Sequence, residues 1–188
     1  MNPFMLEMFQ REVLLQCGYA LRAVRDFESA VRGHNRENDA FYHAQMMLLA
    51  YANISKLLWA QSEGDTRDKR LVLRQSLDAS DFFQQSERTM RNHYEHFDER
   101  LDRWGKQSIP GAVRNIDRNV IPIGMLGTFS RAEKDVLRHF DPHTRDLIFW
   151  GDKLNVNDFV AEINRLRNRT MEVLKPLWER GGEGHTKP

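Results

Sequence analysis

The chain has 188 residues, 40 % of them hydrophobic, with 28 Lys and Arg against 27 Asp and Glu. That length and apolar content suit one domain around one sizeable core, and a net charge of +1 supplies no long-range pull toward nucleic acid or an anionic membrane. A single cysteine, Cys17, excludes an intramolecular disulfide and a thiolate zinc cluster. The first residues also lack a basic stretch followed by an apolar run, so a cytoplasmic protein without a membrane span is expected.

From Phe4 to about Arg32 there is no proline, and Leu6, Val13, Cys17, Ala20, Val24, Phe27 and Val31 recur mostly at steps of three and four, which predicts one long amphipathic helix. Gly33-His34-Asn35 supplies a stop. Asn38 or Asp39 can cap a second helix, with Phe41, Ala44, Leu48, Tyr51, Ser55 and Leu58 on one stripe, ending near Gln61. A short link between two such helices makes them antiparallel neighbours. Helical character resumes near Arg67 with Leu71, Leu73 and Leu77, breaks around Asp78 to Asp81, and continues from Phe83 to about Trp104. Met90, Tyr94, Phe97, Leu101 and Trp104 form the expected buried seam of that helix, and Gly105 ends it.

Between Ile109 and Asn155 the texture changes. Pro110, Gly111, Pro122, Gly124, Gly127 and Pro142 punctuate short β-leaning runs, among them Asn119-Val120-Ile121 and Leu147-Ile148-Phe149-Trp150. A β-hairpin or small meander is expected here, with one short helix from about Arg131. Asn155 or Asn157 then caps a last helix carrying Phe159, Ile163, Leu166 and Thr170 to about Leu174, where Pro176 disfavours continuation. The expected fold is therefore all-α: a bundle of four or more long antiparallel helices, residues 1–180, with an insert at about 109–155 and a flexible tail at 181–188.

One polar segment stands beside the Met90 seam: Arg91-Asn92-His93-Tyr94-Glu95-His96. At about 100° per residue and with Met90 at zero, Arg91, Glu95, Asn92, His96 and His93 point to roughly 100°, 140°, 200°, 240° and 300°. Arg91 lies above Glu95 and Asn92 above His96, each pair able to interact at four-residue spacing. His93 falls at the seam's edge, where a hydrogen-bonded core-edge histidine is the plainer reading.

This segment resembles the Arg-x(4 to 6)-His motif of the HEPN superfamily, whose members often carry a polar residue directly after the arginine, as Asn92 does here. The resemblance implies a helical bundle with the motif late in it, and a metal-independent endoribonuclease of toxin or defence type acting on RNA with no cofactor. By the same resemblance His96 is the general acid or base, Arg91 holds the scissile phosphate, and Asn92 orients His96, with Glu95 and His93 in supporting positions. Histidine titrates near neutrality and arginine's planar fork suits a phosphorane, so the chemistry is sound. Residues five apart on a helix point about 140° from one another and rise roughly 7.5 Å, so two opposed copies bring both groups to one phosphate more readily than one copy does. HEPN proteins are such homodimers, and toxin members pair with a small nucleotidyltransferase-like antitoxin.

Two rival readings stand beside it. His93, His96 and Glu99 can be imagined as metal ligands, yet no Glu is followed three residues later by His, so the paired Glu-x-x-His of a di-iron bundle is absent and no metal is expected. Asp39/His43 and Asp135/His139 read as surface helix pairs or caps. Arg165, Arg167, Arg169 and Lys175, with Arg67, Lys69, Arg70 and Arg74, can track a phosphate backbone or form a solvated face. A non-catalytic HEPN-like interaction module, binding a protein partner or nucleic acid without cutting it, is the second function class.

Overall fold

The computed structural model describes residues 1–33, 36–59, 65–81, 97–106, 115–122, 136–149 and 151–182. Among them, in chain order, run helices α1 (Pro3–Val31), α2 (Arg36–Leu58), α3 (Asp65–Ser76) and α4 (Phe97–Lys106). Strands β1 (Asn115–Val120), β2 (Val136–Asp141), β3 (Asp146–Phe149) and β4 (Asp152–Asn155) follow, and α5 (Val156–Gly182) closes the series.

Asn2 starts α1 by accepting the Met5 backbone N–H at 2.8 Å, and Pro3 directly behind it needs no N–H there. The inner stripe of α1 is buried from Val13 to Phe27, and every residue expected on the α2 stripe is buried as well. α1 packs most extensively on α2 and next on α5. Gln16 sits inside that contact, donating to Glu12 at 2.7 Å and accepting from Asn53 of α2 at 3.2 Å, so its amide is buried with partners.

α3 ends in a Schellman turn: the Ala79 N–H reaches the Arg74 carbonyl at 2.8 Å, and Asp78 takes the left-handed conformation at φ 50°. The break expected around Asp78 to Asp81 is thus present, made by an aspartate where glycine is the commoner choice. Leu71 is exposed, while Leu73 and Leu77 are buried.

The sheet has the order β1-β2-β3-β4. β1 runs parallel to β2, with Asn119 opposite His139, and β2, β3 and β4 form an antiparallel meander. The expected meander is therefore present with one parallel strand added. It is part of the core. Phe140 meets Phe27 of α1 edge-on at 4.8 Å, Phe149 meets Phe41 of α2 at 6.2 Å, and Tyr51 meets Phe159 of α5 at 5.0 Å. Val120 and Leu147 belong to the same cluster. The molecule is thus mostly helical, with a small sheet before the last helix, as expected, and that sheet shares the core.

Asn155 joins sheet to helix. Its side-chain oxygen accepts the Asn157 N–H at 3.0 Å, capping α5, while its amide donates to Thr144 O and Asp146 Oδ1, both at 2.9 Å. Asp141 Oδ1 accepts the His143 and Thr144 N–H groups and sets the β2–β3 turn, which Arg145 closes at φ 68° and anchors to Glu28 of α1. α5 does not stop at Leu174: it continues through Pro176 to Gly182. One missing N–H removes a single bond from a helix of this length, which the turns before and after outweigh. Residues 181 and 182, expected in the tail, are therefore helical.

Candidate functional site

Arg91, Asn92, His93, Glu95 and His96 lie outside the described residues, as do Arg131 and the short helix expected there. The described part of α4 begins at Phe97, and Asp98 and Glu99 on it are exposed. Leu101, expected in the buried seam, is 40 % exposed. An apolar stripe wider than the surface it packs on leaves its margin in water.

The basic side chains considered for phosphate tracking divide by contact. Arg74 is buried, donating to the Leu58 carbonyl at 2.8 Å with its guanidinium 4.0 Å from the Trp59 ring centre. It caps the end of α2. Arg70 lies 3.6 Å over the Phe9 ring, and burial holds its pKa below the ordinary arginine value. Arg165 is held by Asp81, and Arg169 pairs with Glu172 at 3.3 Å. Four of the candidate phosphate contacts are thus occupied by structural partners.

Two concavities flank α5. One, of about 320 Å³, lies between the α3 turn and α5 and holds Asp78, Arg165, Arg169 and Glu172, two acids beside two bases. The other, of about 520 Å³, runs between α1 and α5 and is lined by Arg11, Leu14, Leu15, Gly18, Tyr19, Arg167 and Met171. Beneath it Cys17 is buried, and desolvation pushes its thiol up to about 12 against the opposing pull of Arg167. A thiol so protonated is no nucleophile at neutral pH.

His139 is the one described histidine at 0 % exposure. It is not in a surface helix pair with Asp135: it stands on β2, on the sheet face opposite Phe140, between Asn119 of β1 and Ile148 of β3. Neither ring nitrogen completes a hydrogen bond of good geometry. Burial lowers its pKa, opposed by the Asp141 carboxylate and by the nearby Ile121 backbone. Val136 to Asp141 does not alternate apolar and polar residues, so no period-two pattern marked it as a strand, and Glu133 and Lys134 favour a helix. Among the described residues no three His, Cys, Asp or Glu side chains gather as a metal site, and no helix is long and apolar enough to cross a membrane.

No protein-family model, curated protein or solved structure matches this chain. The described residues thus offer one apolar, cation-edged groove and one buried histidine, and the chemistry at Arg91 to His96 rests on the sequence.

Proposed function

We propose that this chain is a HEPN-like, metal-independent endoribonuclease of toxin or defence type that works in the cytoplasm as a two-fold homodimer. The observation that carries the reading is the segment Arg91-Asn92-His93-Tyr94-Glu95-His96 leading directly into α4 of a mostly helical chain. His96 moves the proton of the ribose 2′-hydroxyl or of the leaving oxygen, and Arg91 from either copy holds the phosphorane. RNA brings its own nucleophile. The bundle of four or more long helices belongs to this proposal, since α1, α2 and α5 are the long helices among the described residues. A nucleotidyltransferase-like antitoxin is the partner this reading implies.

The test is cleavage of mixed RNA in the presence of a chelator, beside His96→Ala and Arg91→Ala. Wild type should cut and leave 2′,3′-cyclic phosphate, and each variant should lose about 100-fold or more in rate. Intact RNA with wild type defeats the nuclease reading; equal cutting by all three proteins defeats the site. The second reading, a non-catalytic interaction module, has one observation in its favour: the apolar side chains that α1 leaves in solvent.

A further inference from the structure

α1 carries two seams. The inner one is spent on α2 and α5, while on the opposite side Phe4, Met8, Arg11, Leu15, Gly18 and Arg22 follow one another at steps of four, three, four, three and four. That is heptad spacing over about 27 Å of helix, with the apolar members Phe4, Met8 and Leu15 within about the first 17 Å. Its apolar members are not covered: Phe4 is 68 % exposed, Met8 and Leu15 are about half exposed, and neighbouring Tyr19 is 51 % exposed. Single exposed apolar residues are ordinary; a periodic row of them is the mark of a contact surface.

The row is also concave. Met171 and Arg167 of α5 wall one side of the groove in which Leu15 and Gly18 lie. A Cβ placed on Gly18 meets nothing within 4 Å, so the glycine is not required by any neighbour in the chain. It leaves a hole in the seam into which a side chain from outside can insert.

Charge selects the occupant. Along this face Arg11 is paired with Glu7 at 2.7 Å, and Arg22 and Arg25 share Asp26 at 3.7 and 3.6 Å. Arg167 has no ion-pair partner among the described residues. Four guanidinium groups thus face two carboxylates. Glu12, half-buried on the same helix, is committed to the Gln16 amide at 2.7 Å. A second copy of this chain brings the same positive excess, setting one arginine rim against another. A flat bilayer cannot enter a groove with its hole below the rim, and an RNA strand leaves the apolar floor unused.

We propose that the outer face of α1, with the α1–α5 groove, docks an acidic amphipathic helix of a partner protein. Apolar side chains at heptad spacing enter beside Leu15 and Gly18, and carboxylates flanking that seam meet Arg11, Arg22, Arg25 and Arg167. This stands independently of the nuclease reading, since it uses neither Arg91 nor His96.

The probe is a fluorescein-labelled synthetic peptide of three heptads with Leu at the seam positions and Glu on both flanks, whose acidic flanks keep it from pairing with itself at neutral pH. Titration of the full chain should give a saturable rise in anisotropy at one peptide per chain. Leu15→Glu, which breaks the seam, and Gly18→Phe, which fills the hole, should each weaken binding about tenfold or more, while Leu49→Glu on exposed α2 surface should not change it. Far-ultraviolet dichroism and melting keep misfolding apart from lost contact, and Gly18→Phe has open space to occupy. Equal binding of a Lys-flanked peptide, or of the same composition with the heptad order shuffled, overturns the proposal. So does absence of binding. It is equally overturned if Leu15→Glu instead converts a dimer of the protein to monomer, or releases it from anionic phospholipid vesicles that it binds while ignoring the peptide.

Discussion

Arg165 of α5 and Asp81, just beyond the α3 turn, meet fork to fork, each of two guanidinium nitrogens 3.1 Å from its own carboxylate oxygen. The pair joins segments 84 residues apart in sequence. The Arg165 hydrogen bonds hold the Asp81 carboxyl below the usual carboxylate range, against the opposing effect of burial. Both side chains are at least half exposed, so solvent screening limits the pair to about 0.2–1 kcal/mol even with bidentate geometry.

The sign of its pH dependence follows from the carboxylate. A folded-state pKa below the unfolded value of about 3.9 gives stability that is complete above that pH and is lost as pH falls through the folded value. A double-mutant cycle with Arg165→Gln and Asp81→Asn should give a favourable coupling at pH 7 that shrinks with added salt and vanishes in acid. A coupling that salt leaves unchanged would mean that packing, not charge, joins the two segments.

His139 acts with the same sign at higher pH. Its folded pKa lies below the unfolded value of about 6.5, because burial disfavours the imidazolium more than Asp141 favours it. Stability from this group is therefore complete above about pH 6.5 and falls as the solution is acidified through the folded pKa. His139→Leu removes two buried nitrogens without good hydrogen bonds, so it should be neutral or stabilising by about 1 kcal/mol at pH 7.5. Its melting temperature should also fall less between pH 7 and pH 5 than that of wild type. A steeper acid loss in the variant would show that His139 is stabilised as a cation.

Gly18 sits in the interior of α1 with ordinary helical backbone and open space where a Cβ would be. Glycine there costs about 0.5–1 kcal/mol relative to alanine through backbone entropy. Gly18→Ala should raise stability by that amount in urea titration. An unchanged or lowered midpoint would reveal a close approach to Gly18 that its open surroundings do not predict.

The helices were legible because their apolar period is long and unbroken. Val13 to Phe27 and Phe41 to Leu58 each repeat the 3.6-residue pattern for several turns, and nearly all those side chains are buried. Leu101 misled because a stripe shows which side of a helix is apolar, not how far the packed surface extends. Long-range contacts were the larger omission. That Arg74 would cap α2 and Arg165 find Asp81 depends on which helices become neighbours, so these arginines read as a loose basic face. β1 and β2 pair in parallel across residues 121–135, and strands so separated leave no turn signal between them. The outer seam of α1 was visible in the sequence, but a stripe of Phe4, Met8 and Leu15 gains meaning only once the opposite stripe is seen to fill the core. Arg91 to His96 lie outside the described residues, so the candidate site itself is still read from spacing alone.

Phe140 decides how far the sheet belongs to the core. It is fully buried on β2 and packs edge-on against Phe27 of α1, with ring planes at 84°. If the strands were an appended insert, removing this ring would loosen them and leave the helices as they are. The shared cluster of Phe27, Phe140, Leu147 and Phe159 predicts otherwise: Phe140→Ala should cost about 3–5 kcal/mol in one cooperative transition. Combined with Phe27→Ala, the two losses should fall short of additive by about 0.5–1.5 kcal/mol, the worth of the edge-on ring pair. Hydrogen exchange supplies the spatial check, since α1 amides near Phe27 should lose protection together with those of β2 and β3. Loss confined to the strands, or a cost under about 1 kcal/mol, would return the sheet to the status of an insert and leave the helical core standing without it.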